Sequence, residues 1–171
     1  MQLTATTSTT TNLHGISTEL CSNIQINNNT ILNTEDNGIT ATTCDQTNIE
    51  HNNIHYTHLY GAELYDCDNC IVTNNQIHRT SDCGIYAENS SNNIISNNSI
   101  THTNKSGIIL NSYSSNNAIN SNNLNNNDDY GIKINTSDCE NNLITSNMLN
   151  DNSDGSYHDD GTGTTIQHNV S

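Results

Sequence analysis

An all-β fold, a right-handed parallel β-helix of six to seven coils of about 23 residues, is what this sequence predicts. Three observations predict it. Glycine recurs at a fixed long step, an aliphatic–Asn block recurs with it, and the few apolar residues follow that period rather than scattering. Gly15, Gly38, Gly61, Gly84 and Gly107 stand 23 residues apart, and Gly131 follows after 24. Each precedes a small or aliphatic residue: Ile16, Ile39, Ala62, Ile85, Ile108 and Ile132. The second block reads aliphatic-x-x-Asn-x-aliphatic, as at Ile26 to Ile31 and Ile49 to Ile54. Its fourth position is Asn in every copy: Asn29, Asn52, Asn75, Asn98, Asn122, Asn147 and, in a truncated last copy, Asn169.

Each element has a physical reason. Short strands alternate sides, so aliphatics at i and i+2, as in Gly131-Ile-Lys-Ile134, face inward together. Each strand pairs in parallel with its equivalent one coil away, at about 4.8 Å, so equivalent residues stack into ladders. An Asn ladder is favourable because each amide donates to the next carbonyl and satisfies polar groups at a bend. Glycine suits a corner that needs positive φ or close backbone approach. Asn, Asp and Ser fill the other corners, as in Asn125 to Asp129. Parallel crossovers are overwhelmingly right-handed. An antiparallel sandwich would need two-residue hairpins and gives no reason for the period.

Composition excludes several partners. Hydrophobic residues make up 30%, Phe, Trp and Pro are absent, and the net charge is −15. Such a chain would be disordered if its apolar residues were scattered, but a solenoid shares its core between neighbouring coils. Only Arg79, Lys105 and Lys133 are basic, so there is no footprint for nucleic acid or an anionic membrane. No apolar run approaches the roughly 20 residues of a membrane span. Met1-Gln-Leu leads into the Thr/Ser-rich stretch Thr4 to Thr11 without a signal peptide, and the composition points to a piece of a longer exported chain. Residues 1–12 are expected to be a lead or N-terminal cap and 13–171 the β-helix, with 151–163 a polar insert. Without capping helices, the open edges also suggest end-to-end stacking of copies.

The pattern Gly-Ile-x-Ile … Asn-x-x-Ile-x-x-Asn-x-Ile resembles the parallel β-helix repeats of the pectate-lyase-like superfamily, nearest to NosD-type periplasmic repeats and adhesin-like surface proteins of archaea. The resemblance covers Gly15 to about Asn169. It implies the fold and, as the commonest ligand class, polysaccharide. It leaves the function open between lyases, hydrolases, epimerases, tailspikes and adhesins.

Four groups of residues are candidates for function or for stacking. Cys21, Cys44 and Cys67 follow their glycines by six residues and form a ladder; they are read as a buried small-residue stack in which two members can form a disulfide. Cys139 sits near that level, and Cys67-x-x-Cys70 lacks the second pair that a zinc site needs. Glu63 and Tyr65, with Tyr86 and Glu88 one coil on, share the outward face of the strand after the glycine. Their rings and carboxylates suit a glycan, and the resemblance places a groove on that sheet face. His55 and His78 share a level, with Tyr56, Arg79 and His102 one residue on; this patch is a candidate for a metal or an acidic sugar. Asp159 and Asp160, between Tyr157-His158 and Gly161, are a candidate calcium pair, calcium being the one cofactor considered.

Catalytic motifs are missing. The polygalacturonase Asn-x-Asp, Gly-His-Gly and Arg-x-Lys motifs do not occur, and the epimerase Asp-Pro-His-Asp is impossible without Pro. No coil level gathers three carboxylates with Arg79 or a His. The sequence therefore favours a non-catalytic extracellular or cell-surface stalk or adhesin that binds glycan or self-assembles, with a carbohydrate-active lyase or hydrolase as the alternative.

Overall fold

The computed structural model of the chain describes the backbone of Gln2–Thr4 and Thr7–Ser8 and all of residues 13–171. These residues are all-β and form three parallel sheets wound into a solenoid of about seven turns. In one turn, Asn48–Glu50 belongs to sheet A, Asn53–Thr57 to sheet B and Ala62–Tyr65 to sheet C. Pairing is in register one coil apart, as in Ile49↔Val72, Ile54↔Ile77 and Leu64↔Ala87. Sheet A has eight strands, sheet B six and sheet C seven.

Inside, the stacked aliphatics are fully buried: Ile26, Ile49, Val72 and Ile95 from sheet A, and Ile31, Ile54, Ile77 and Ile100 from sheet B. Sheet C adds Ile39, Leu64, Ile85 and Ala87. Of the two reasons for the repeating glycine, close approach operates. A Cβ on Gly84 would lie 2.2 Å from Cγ2 of Ile100 and 2.7 Å from the carbonyl oxygen of Gly107. The left-handed corners are taken instead by non-glycine residues, most of them Asn, Asp or Ser.

The corners of the solenoid are closed by ladders. Asn75 donates from Nδ2 to Oδ1 of Asn98 (3.0 Å) and to the Ile49 carbonyl (2.8 Å), and its Oδ1 accepts from the backbone N–H (2.9 Å) and Nδ2 (3.0 Å) of Asn52. The same contacts run from Asn29 to Asn169. One further ladder escaped the sequence reading, and the cysteine ladder runs further than that reading took it. The first passes from Thr47 through Cys70 to Asn93, Asn117 and Asn142, each backbone N–H donating to the next side chain. The other continues from Cys44 through Cys67 to Ser90 and Ser114. Cys21 and Cys44 form a disulfide across a Cα–Cα distance of 4.5 Å, while Cys67, Cys70, Cys83 and Cys139 are buried thiols. The Cys67-x-x-Cys70 spacing is thus that of two neighbouring ladders.

Two boundaries differ from expectation. Gln2–Thr4 pairs with Gln25–Asn27, and Thr7–Ser8 with Thr30–Ile31, so strands of the solenoid already lie within the 1–12 segment; the rest of that segment is outside the described residues. The polar insert at 151–163 contains the strand Gly155–Asp159, the seventh of sheet C, with Tyr157 opposite Ile132 and Asp159 opposite Ile134. Polar residues at inward register positions had hidden it.

Candidate functional site

Sheet C presents a connected polar and aromatic surface. Ala62–Tyr65 and Ile85–Glu88 turn alternate residues inward, so Glu63, Tyr65, Tyr86 and Glu88 lie on the outer face. Tyr86 is opposite Glu63, and Glu88 opposite Tyr65. Tyr86 donates its hydroxyl to Oε2 of Glu88, and Nδ2 of Asn111, one coil further, donates to the Tyr86 hydroxyl (2.9 Å) and to Glu88 (3.3 Å). On the other side, Nδ2 of Asn37 donates to Oε2 of Glu63 (2.7 Å) and to the Thr40 hydroxyl (3.0 Å). Tyr60 stacks on Tyr86 with ring centroids 4.5 Å apart and planes 4° from parallel.

The sequence reading missed Tyr60, Asn37 and Asn111. Tyr60 precedes Gly61 at a corner, and nothing in the period shows that its ring turns toward the next coil.

Burial pushes the Glu63 carboxyl above its usual range; the carboxylates of Asp36 and Glu88 push the same way, against His14 and Thr40. Tyr60 is pushed up to about 12, chiefly by burial, then by Cys83, Asp82, Glu63 and Glu88. Tyr86 is raised further, by burial and by its bond to Glu88. The face therefore holds a partly buried carboxyl that resists ionisation beside a second one that accepts hydrogen bonds from Tyr86 and Asn111.

A second site lies at the corner where sheet B ends. A groove of about 720 Å³ runs over several coils and is lined by Glu35, Tyr56, His58, Arg79, His102 and Asp128, among others. Arg79 donates to the Tyr56 hydroxyl (2.6 Å), and its guanidinium lies 5.5 Å from the centre of the Tyr56 ring. His55 and His78 face a smaller depression of about 270 Å³ on sheet B. Their ring centroids are 5.6 Å apart, and those of His78 and His102 are 4.9 Å apart. His55 is lowered by burial and then by Arg79; His78 is lowered by burial, then by His102, Arg79 and His55.

The imidazoles meet edge to face, and among the described residues no group of three or more His, Cys, Asp or Glu is placed to hold a metal ion. That includes Asp159 and Asp160, whose carboxylates have separate partners. Asp159 accepts from Gly161 N–H (2.9 Å) and Thr164 Oγ1 (3.2 Å), and Asp160 lies 3.1 Å from His158 Nε2.

Fold and surface together define a class, the parallel β-solenoid with a groove along one corner. The particular family follows from the sequence: the right-handed β-helix region family matches residues 37–171, and the chain belongs to it. No curated protein resembles the chain closely enough to count as a relative. Among solved structures, the periplasmic alginate epimerase AlgG is similar with a TM-score of 0.86 at 19% identity, over 96% of this chain and 44% of that one. The A-module of the Azotobacter vinelandii mannuronan C-5 epimerase AlgE6 gives 0.78 at 14%, over 99% and 57%. A C387A mutant of the DFA-IIIase from Arthrobacter chlorophenolicus A6 gives 0.70 at 15%, over 92% and 42%. At these identities the likeness is one of fold, and the chain spans about half the length of each.

Proposed function

We propose that this chain is the β-helical body of a carbohydrate-active enzyme that cleaves a polysaccharide lying along the outer face of sheet C. The observation that carries the reading is the Glu63–Glu88 pair, held on one face in unlike surroundings beside the Tyr60–Tyr86 stack. Two carboxyls on one face, one of them with its proton held more tightly by burial, are the minimum equipment for glycoside hydrolysis. Glu63, whose proton burial holds more tightly than usual, is the general acid that protonates the leaving oxygen. Glu88 is the carboxylate that activates water. Its position is one coil on and two residues along from Glu63, which puts the two Cα atoms roughly 8 Å apart from strand spacing and rise. A Cα spacing of that order suits an inverting reaction, whose carboxyls stand about 6.5–9.5 Å apart. The stacked tyrosines offer a flat wall for sugar rings.

This reverses the ranking reached from sequence. There, no coil level held a sufficient carboxylate cluster, and a stalk or adhesin came first. Pairing by coil level alone overlooks the diagonal relation of Glu63 to Glu88 and the tuning of Glu63 by burial. The named activities of the structural neighbours, alginate and mannuronan epimerases and a DFA-IIIase, add support for polysaccharide as the partner. Export goes with the reading, because glycan substrates lie outside the cytoplasm, and the Cys21–Cys44 disulfide suits an oxidising compartment. End-to-end assembly is a separate matter, tested by sedimentation across concentration.

The test is mass spectrometry of products after incubation with a panel of acidic and neutral polysaccharides. Oligosaccharides carrying one added water, and lost in both Glu63→Gln and Glu88→Gln, are the expected result. Products lighter by one water would make it a lyase. Binding without products in the wild type would restore the non-catalytic role.

A further inference from the structure

The corner groove at the end of sheet B has a feature that packing does not explain. Asn33, Tyr56, Arg79, His102 and Asn126 occupy the same corner in five successive coils, all with φ between 54° and 58°. Asn is the ordinary occupant of this left-handed conformation, because its short side chain tolerates it where bulky ones do not. The three central coils replace it with Tyr, Arg and His. Such strain persists only where the surroundings dictate it. Here they do: the buried Thr57 and Thr80 hydroxyls, next in sequence, donate to the carbonyls of Leu59 and Asp82 and fix the turn.

Charge identifies the ligand. In a chain with 18 Asp and Glu, Arg79 forms no ion pair among the described residues. Its one hydrogen bond goes to Tyr56, which fixes the guanidinium and leaves its other N–H donors for a ligand. His78 and His102 stand beside it, their rings in contact with each other, and among the described residues no carboxylate pairs with Arg79, His78 or His102. The acids of the groove, Glu35 and Asp128, sit two coils away on either side, about 10 Å by coil spacing and near one Debye length at 0.1 M salt. Their placement confines the favourable region for an anion to the middle coils.

We infer that the Tyr56–Arg79–His102 corner binds an anionic sugar, its carboxylate on the Arg79 fork and its ring against the half-exposed face of Tyr56. The site is distinct from the Glu63–Glu88 face and stands whether or not that face is catalytic. It anchors a uronate unit on the side of the rod.

Binding is measured by calorimetry with trigalacturonate, against maltotriose as the neutral probe and acetate as the bare carboxylate. Trigalacturonate should bind, and at least tenfold more tightly than either. Arg79→Asn should weaken it tenfold or more, and Tyr56→Asn and His102→Asn severalfold, while melting temperatures stay level or rise, since each substitution restores the occupant found at Asn33 and Asn126. Affinity should increase toward pH 5.5, as His55 and His78, held below the ordinary imidazole range by burial, gain protons against a uronate that stays ionised; His58, His102, Glu35 and Asp128 are the other titratable groups around the groove. Failure of the wild type to bind trigalacturonate, equal binding of maltotriose or acetate, or undiminished binding by Arg79→Asn overturns the assignment.

Discussion

Replacing Asn75 by alanine tests the ladder at its centre. The side chain is 1% exposed and takes part in four hydrogen bonds. Without it, the backbone N–H of Asn52 loses its acceptor in a dry interior, which costs about 1–3 kcal/mol. Three other contacts are lost as well, and two of their partners keep a second bond. Nδ2 of Asn52 still reaches the Ile26 carbonyl, and Oδ1 of Asn98 still accepts from the Asn75 N–H. Each of those losses is worth about 0.5–1.5 kcal/mol. The sum is about 2.5–7.5 kcal/mol, a large part of the roughly 5–15 kcal/mol by which domains are stable. Asn169, partly exposed at the last ladder position, takes part in three such bonds, and Asn169→Ala should lose clearly less. Urea unfolding followed by circular dichroism measures both. A loss below about 1 kcal/mol for Asn75→Ala, or equal losses at the two positions, would refute the claim that the amide ladder holds the corner.

Other outcomes follow from the same geometry. Gly84→Ala forces a Cβ against Ile100 and the Gly107 carbonyl and should destabilise by about 2–4 kcal/mol, read from the same urea transition. Removing the Cys21–Cys44 disulfide by a double Ser substitution should lose about 3 kcal/mol by loop entropy, and reduction of the wild type should lower its midpoint similarly. Glu63 has a raised pKa when folded, so the folded state holds its proton more tightly. Its ionisation therefore opposes folding once pH rises past the ordinary carboxylate range. Glu63→Gln should then be more stable than wild type at pH 7 and lose that advantage near pH 4, as followed by thermal melts across pH.

The fold was legible because its determinants recur. Inward Ile and Leu, Gly84 and its equivalents, and the Asn29-to-Asn169 ladder each repeat the same residue at the same level, and parallel in-register stacking is what a constant period means physically. Where the occupant changes from coil to coil, legibility ends. The second ladder escaped because Thr47 and Cys70 precede Asn93 in it; a hydroxyl, a thiol and an amide all accept the same backbone N–H, and sequence does not reveal that equivalence. The last strand of sheet C escaped because Tyr157 and Asp159 stand where earlier coils carry Ile.

The candidate sites divide in the same way. Glu63, Tyr65, Tyr86 and Glu88 could be placed on one face from strand alternation alone, but the bond from Tyr86 to Glu88, the ring of Tyr60 and the burial of Glu63 are side-chain facts that no period encodes. At the sheet B corner, alternation put Tyr56, Arg79 and His102 in one column without revealing the backbone beneath them. The structure supplies that: the column is left-handed, and Asn stands at both of its flanks. A regular repeat makes departures measurable, since every coil is a control for its neighbours. The same corner is occupied by residues suited to it at Asn33 and Asn126 and by unsuited ones in between. Local conformational preference and residue choice disagree only there in the column, and disagreement of that kind is where a fold gives up stability for a site. Tyr56, Arg79 and His102 are therefore better read through what they can bind than through what they hold together.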